Sequence, residues 1–262
     1  MHILWIAAII VLAYPLASHG RRLQLKQRWS RQMLDILGIE LDAILGGIEP
    51  GSLIVANHIS WVDIFVLNAA RPVAFVSKSE VRDWPLVGWL TSRVDTVFLR
   101  RGSRGHARIV NAEIDALLNA GSDVAIFPEG TTTDGTHLLG FHGALLQPAV
   151  ETGRPIQPVS LSYETPDGQR SLAPAYVGET SLLECLRTIL ACPGLVARVR
   201  TTPALPTPGR NRRELAHAAR GAIALSLGLP LVNNPPEIPA GLQDVPQLDD
   251  RPTNSRNQAP AS

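Results

Sequence analysis

The chain has 262 residues, a formal net charge of +1 and 45% hydrophobic residues. That length suits one catalytic domain with small attachments, and so small a net charge gives no field directed at nucleic acid. The two cysteines, Cys185 and Cys192, form no C-x-x-C or Cys/His cluster of the kind that binds zinc, and they read as reduced packing residues in a cytosolic compartment.

The first element in chain order is Ile3 to Ala17, apolar throughout, with Tyr14-Pro15 near its end. As a helix it would be about 22 Å long, short of a hydrocarbon core of about 30 Å. No basic residue precedes it, which makes it a poor secretory signal. Arg21, Arg22, Lys26, Arg28 and Arg31 follow, and by the positive-inside rule they would hold the rest of the chain in the cytoplasm. Leu25, Trp29, Met33, Ile36 and Leu37 recur on one face of this basic stretch, the pattern of an interfacial helix. The alternative is a two-helix cap packed on the domain. The lack of any polar face in 3–17 favours membrane contact, so residues 1–38 are expected to form a membrane-associated helical segment.

From Leu53 onward apolar runs alternate with helical patterns. The expected strands are 53–56, 73–76, 96–99, 124–127, 156–162 and 196–201. The expected helices are 62–69, 106–119, 142–152, 180–190 and 212–227. This is an α/β order, with the domain placed at 39–232. Residues 233–262 shift to Pro, Asn, Asp and Ser and are expected to be disordered.

Two segments carry chemistry. Asn57-His58-Ile59-Ser60-Trp61-Val62-Asp63 follows the buried run Leu53–Ala56 and opens a helical pattern. It places an imidazole at a strand-to-helix corner with a carboxylate one turn on. At that spacing Asp63 can reach one ring nitrogen of His58, fix its tautomer and stabilise the imidazolium when the other nitrogen takes a proton. Ser60 reads as a hydroxyl that caps the helix. The second segment is Phe127-Pro128-Glu129-Gly130-Thr131-Thr132-Thr133-Asp134-Gly135. Pro128 ends a short strand, and Gly130 allows an unusual backbone angle or a close ligand approach. A serine esterase is disfavoured because the chain has no G-x-S-x-G elbow. A metal enzyme would need further ligands near His58 and Asp63, and the sequence clusters none there.

Together these segments resemble the glycerophospholipid acyltransferase family, which includes the 1-acylglycerol-3-phosphate acyltransferases. Asn57, His58 and Asp63 match its first block. Phe98-Leu99-Arg100-Arg101 corresponds to the second, with Arg101 at the family's Arg. Phe127 to Thr131 match the third, and Ile156-Gln157-Pro158-Val159 the fourth. The four blocks stand in order over roughly residues 50–205. The resemblance implies a mixed sheet flanked by helices, with His58 as base and Asp63 orienting it. It places Arg101, Arg100, Glu129, Gly130, Thr131 and Thr132 around the acceptor's glycerol and headgroup. It implies acyl-CoA or acyl carrier protein as donor substrate, membrane lipids as partners, and neither cofactor nor metal. It further implies a bacterial inner membrane, with the catalytic domain on the cytoplasmic side. Three positions depart from the family. Thr132 stands where the third block ends in an Arg that helps hold the acceptor's phosphate. Arg100 replaces the usual acidic residue and restores a charge, and Asp95 stands where the second block often starts with Gly. With Arg101 and Arg100 present, the expected acceptor is 1-acyl-sn-glycerol-3-phosphate, giving phosphatidic acid. The alternative is lyso-ornithine lipid or another lysolipid, since relatives assigned to these carry the Thr-Thr-x-Asp-Gly variant.

Overall fold

The structure is a computed structural model that describes residues 17–78, 96–99 and 104–230. The apolar run 3–16, most of the Ser77–Trp89 segment, Asp95, Arg100, Arg101 and the tail from Asn233 lie outside the described residues. The elements in order are α1 (His19–Leu37), β1 (Ile39–Ile44), β2 (Leu53–Ala56), α2 (Asp63–Ala70), β3 (Ala74–Lys78), β4 (Thr96–Leu99), α3 (Arg104–Asn119) and β5 (Val124–Ile126). A 3₁₀ turn (Gly143–Leu146) then leads to α4 (Gln147–Thr152), β6 (Ile156–Glu164), α5 (Leu182–Ala191), β7 (Leu195–Thr201) and α6 (Arg212–Ser226).

The strands form one seven-stranded sheet in the order β1-β7-β6-β2-β5-β3-β4. All neighbours are parallel except β6 and β7, so the sheet is mixed as expected. Alternation along β2 shows how it is covered. Ile54 and Ala56 belong to a core cluster shared with α1, α2 and α5, while Leu53 and Val55 join α3, α4 and α6 on the other face. A period-2 strand buried on both faces needs apolar residues at every position, and β2 has them.

Register decides where the chemistry sits. Val55 lies opposite Ile126 of β5 on one side and Pro158 of β6 on the other. The segments that leave the carboxyl ends of β2 and β5 therefore emerge side by side. In open α/β sheets this edge is where ligands bind.

The basic segment of the N-terminus is the helix α1, and it docks on the domain. Leu34 and Leu37 are buried, and Trp29 sets its ring edge-on to Phe65 of α2 at 5.3 Å. The last carbonyls of a helix lack intrahelical partners and favour cationic neighbours. Here Gln27 donates to the carbonyls of Ala69 and Ala70, and Arg31 to that of Ala69. Lys26, itself buried, donates to the carbonyl of Val73 just beyond. Ile36 of the expected interfacial face stays exposed. Among the described residues, no helix is long and apolar enough to cross a membrane.

Candidate active site

The corner after β2 is held by an amide that acts as an extra ladder residue. The Asn57 side chain accepts from the Leu161 N–H at 2.8 Å and donates to the Leu161 carbonyl at 3.0 Å. The backbone of 57 is thereby free to turn while the side chain stays paired to β6. His58 follows, with 20% of its side chain exposed, against none for Asp63. Its Nδ1 lies 2.8 Å from Asp63 Oδ2, which also accepts the N–H groups of Ile59 at 2.7 Å and Ser60 at 3.0 Å. Since a carboxylate only accepts, this network assigns the ring proton to Nδ1 and leaves Nε2 with a lone pair able to accept a proton. Phe127 stacks on the imidazole at 4.0 Å with a 10° interplanar angle, and Phe75 stacks behind Phe127. The Ser60 hydroxyl accepts from Val62 N–H at 3.4 Å, a turn just ahead of the helix, whose N-cap is Val62 without a side-chain cap, so Ser60 does not cap α2 as expected.

The second segment clamps the peptide of His58 from both sides. Glu129 Oε1 accepts the His58 N–H at 2.9 Å, and the Thr133 N–H donates to the His58 carbonyl at 2.8 Å. Glu129 Oε2 accepts the Leu139 N–H at 2.9 Å. Arg220 of α6 in turn donates to the carbonyls of Leu139 at 2.9 Å and Leu138 at 3.0 Å. Glu129 is wholly buried, and that desolvation pushes its carboxyl up to about 7 against the opposing pull of the two N–H groups and the Arg220 charge. Gly130 turns with φ 71°, and a Cβ there would sit 3.4 Å from the His142 ring. Gly135 has φ 78°, and a Cβ there would meet Ile59 at 2.9 Å. Glycine lets this loop pass close to Ile59, the residue that follows His58.

A sequence model described as acyltransferase matches residues 40–162. A lyso-ornithine lipid O-acyltransferase from Pseudomonas aeruginosa is 40% identical over 207 residues, covering 78% of this chain and 80% of that protein. The chain belongs to the glycerophospholipid acyltransferase family. A 1-acyl-sn-glycerol-3-phosphate acyltransferase from Neisseria meningitidis is 37% identical over 149 residues, an alignment that spans 58% of the relative's length. The crystal structure of the 1-acyl-sn-glycerophosphate acyltransferase of Thermotoga maritima superposes with a TM-score of 0.63, over 86% of this chain and 92% of that one. At 19% identity it shows that the fold is shared.

In this acyltransferase His58, Asp63, Glu129, Gly130, Thr131, Thr132 and Thr133 come together at one sheet edge. Glu129, expected at the headgroup, has both oxygens occupied by backbone N–H groups and none of its surface exposed. Thr131 is half-buried on the turn. The Thr132 hydroxyl donates to the carbonyl of Tyr176, whose own N–H donates to the Ile59 carbonyl at 3.0 Å. Thr132, at the position where an Arg was expected from the resemblance, thus helps tie the loop after β5 and the corner after β2 to the 171–178 segment. Arg100 and Arg101 lie outside the described residues. Among the described residues, no group of three or more His, Cys, Asp and Glu could hold a metal.

Sequence reasoning missed three contributors: Tyr163, whose hydroxyl donates to Asp63 Oδ1 at 2.7 Å, Arg220, and the tie from Tyr176. They are 100, 81 and 44 residues distant from their partners Asp63, Leu139 and Thr132, so no local spacing could have flagged them.

Proposed function

We propose that this acyltransferase moves a fatty acyl group from a thioester donor, acyl-CoA or acyl carrier protein, to the free hydroxyl of a lysolipid at the cytoplasmic face of a membrane. The observation that carries this reading is the His58–Asp63 pair, with Asp63 fully buried, His58 20% exposed and Nδ1 engaged by the carboxylate, which leaves Nε2 to accept a proton. Nε2 takes the acceptor's hydroxyl proton as the oxygen attacks the thioester carbon. The tetrahedral adduct then expels the thiolate, which recovers the proton from the imidazolium. An activated thioester needs no covalent enzyme intermediate, only a base and orientation. No cofactor is required by this scheme.

For the acceptor, the reading with most support is a lyso-ornithine lipid. Thr132 supplies no cation and is spent on the Tyr176 carbonyl, and the relative matched over 80% of its length carries that activity. A second reading is 1-acyl-sn-glycerol-3-phosphate, favoured by Arg101 and Arg100 in the second block. The test is an acceptor panel: the purified protein, one acyl-CoA, lyso-ornithine lipid and 1-acylglycerol-3-phosphate, with products identified by mass. Under the first reading Thr132→Arg impairs transfer well beyond Thr132→Val, because a new charge enters the headgroup region. Under the second it is tolerated or helpful, since paired Arg–phosphate hydrogen bonds gain a partner. Transfer to 1-acylglycerol-3-phosphate alone would select the second reading.

Membrane attachment is assigned to the apolar run 3–17 with help from α1. Deleting residues 1–16 spares Ser18, which caps α1 through the Arg21 N–H. The truncated protein is expected to shift from the membrane fraction toward the soluble one. Residual binding through the exposed Arg21, Arg28 and Arg31 should weaken as salt is raised. Full-length protein that stays wholly soluble without detergent would overturn this assignment.

A further inference from the structure

Asp63 has two oxygens with different surroundings. Oδ2 receives His58 Nδ1 and two backbone N–H groups, and Oδ1 receives the Tyr163 hydroxyl at 2.7 Å. Tyr163 comes from β6 and is 2% exposed, so the phenol and the carboxylate meet in a dry site. We propose that Tyr163 is a positioning residue for acyl transfer, whose phenol holds the outer oxygen of Asp63 and sets how strongly that carboxylate grips the His58 imidazolium.

The argument is electrostatic as well as geometric. Three donors hold Oδ2, and the Tyr163 hydroxyl on Oδ1 adds the restraint at the second oxygen, so rotation about the Cβ–Cγ bond would break contacts at both. A 2.7 Å O–H to carboxylate bond is the short, charge-assisted kind. It draws electron density toward Oδ1 and away from the oxygen that faces His58. Burial and the Asp63 charge push the phenol well above its usual range, so it remains a donor at every working pH. The other titratable neighbours of Asp63 are Glu129, which reaches it through the His58 peptide, and the buried Cys185 of α5. Leu161 and Tyr163 act from the same strand: β6 holds Asn57, the start of the corner, through Leu161 and holds Asp63 through Tyr163.

This inference rests on His58 being the base, and its test separates the two. In full-length Tyr163→Phe, the His58 ring protons are titrated by NMR, with His58→Ala supplying the assignment, and kcat and acceptor KM are measured per folded protein. The His58 titration is expected to move to higher pH, because an unshared carboxylate holds the imidazolium more tightly. The kcat is expected to fall about tenfold with KM within about twofold, and Tyr163→Phe should add nothing further to Asp63→Asn. Phenylalanine leaves Oδ1 unpaired and lowers stability, so 3-fluorotyrosine placed at 163 gives a second arm. Its more acidic phenol keeps the bond and should move the His58 titration to lower pH. An unmoved His58 titration with unchanged kcat in both proteins, whatever happens to thermal stability, would overturn the proposal. Because the ring titration does not depend on which lipid is acylated or on turnover, it fails or holds separately from the assignment of the base.

Discussion

His58→Ala is expected to abolish most acyl transfer, by about 10²–10⁴-fold, while leaving the fold and membrane association in place. The fold should survive because His58 holds its neighbours through its backbone. The N–H given to Glu129 and the carbonyl taken up by Thr133 both remain in alanine. What disappears is Nε2 and the ring stacked on Phe127. Asp63→Asn should cost as much or less. Asparagine can still point one oxygen at His58 and the N–H groups of Ile59 and Ser60 while its amide meets the Tyr163 oxygen. The geometry is then kept and the charge that stabilises the imidazolium is lost. Initial rates with saturating acyl-CoA and lysolipid, alongside circular dichroism and membrane pelleting, read each part separately. Near-normal turnover in His58→Ala would remove the base from the mechanism.

The strand pattern was legible because the central strands are covered on both faces. Each expected strand from 53 onward corresponds to an observed one, with ends shifted by at most two residues. The strand that escaped is β1. Its run Ile39-Glu40-Leu41-Asp42-Ala43-Ile44 buries only Ile39 fully, as an edge strand does, and its partner β7 lies over 150 residues away. Its Asp42 is answered from that partner: Arg200 reaches Asp42 Oδ2 at 2.6 Å. The expected helix 142–152 is split into a 3₁₀ turn and α4. Pro148 explains the break, since proline fits only the first turn of a helix.

The His58–Asp63 pair could be read because its members stand only five residues apart, where spacing alone limits geometry. The supports around it could not. Asn57 stood in the motif, yet its role depends on Leu161, which only the β2–β6 register brings alongside. The family's Glu at 129 was legible as a residue type but not as a brace. Nothing local shows that its two oxygens will be filled by the N–H groups of residues 58 and 139. Thr132 was legible as a departure, and its actual partner, a backbone carbonyl at 176, was not.

Glu129→Gln carries the second large expected effect, and it separates a brace from a substrate ligand. Glutamine keeps one acceptor oxygen and turns an NH₂ toward either the His58 or the Leu139 N–H. One side of the clamp on the His58 peptide, or the loop that Arg220 holds, is then released. Displacement of a base by about 1 Å can cost on the order of 10²-fold in rate, so kcat is expected to fall by about that factor with acceptor KM little changed. A rise in KM at constant kcat would mean that the side chain binds acceptor after all. The pH dependence gives an independent readout. The folded carboxyl sits at about 7 and its reference value is 4.5, so between these the native state binds more protons than the unfolded state. Stability from this group is therefore fully present below about 4.5 and is lost as pH rises through about 7, on the order of 3 kcal/mol in all. This slope is opposite to that of a salt-bridged carboxylate. Denaturation midpoints measured from pH 5 to 8 should show the wild type losing stability with rising pH relative to Glu129→Gln, whose neutral amide has no such term. Parallel curves for the two proteins would mean that residue 129 is charged throughout the range, and the clamp would then be ionic across it.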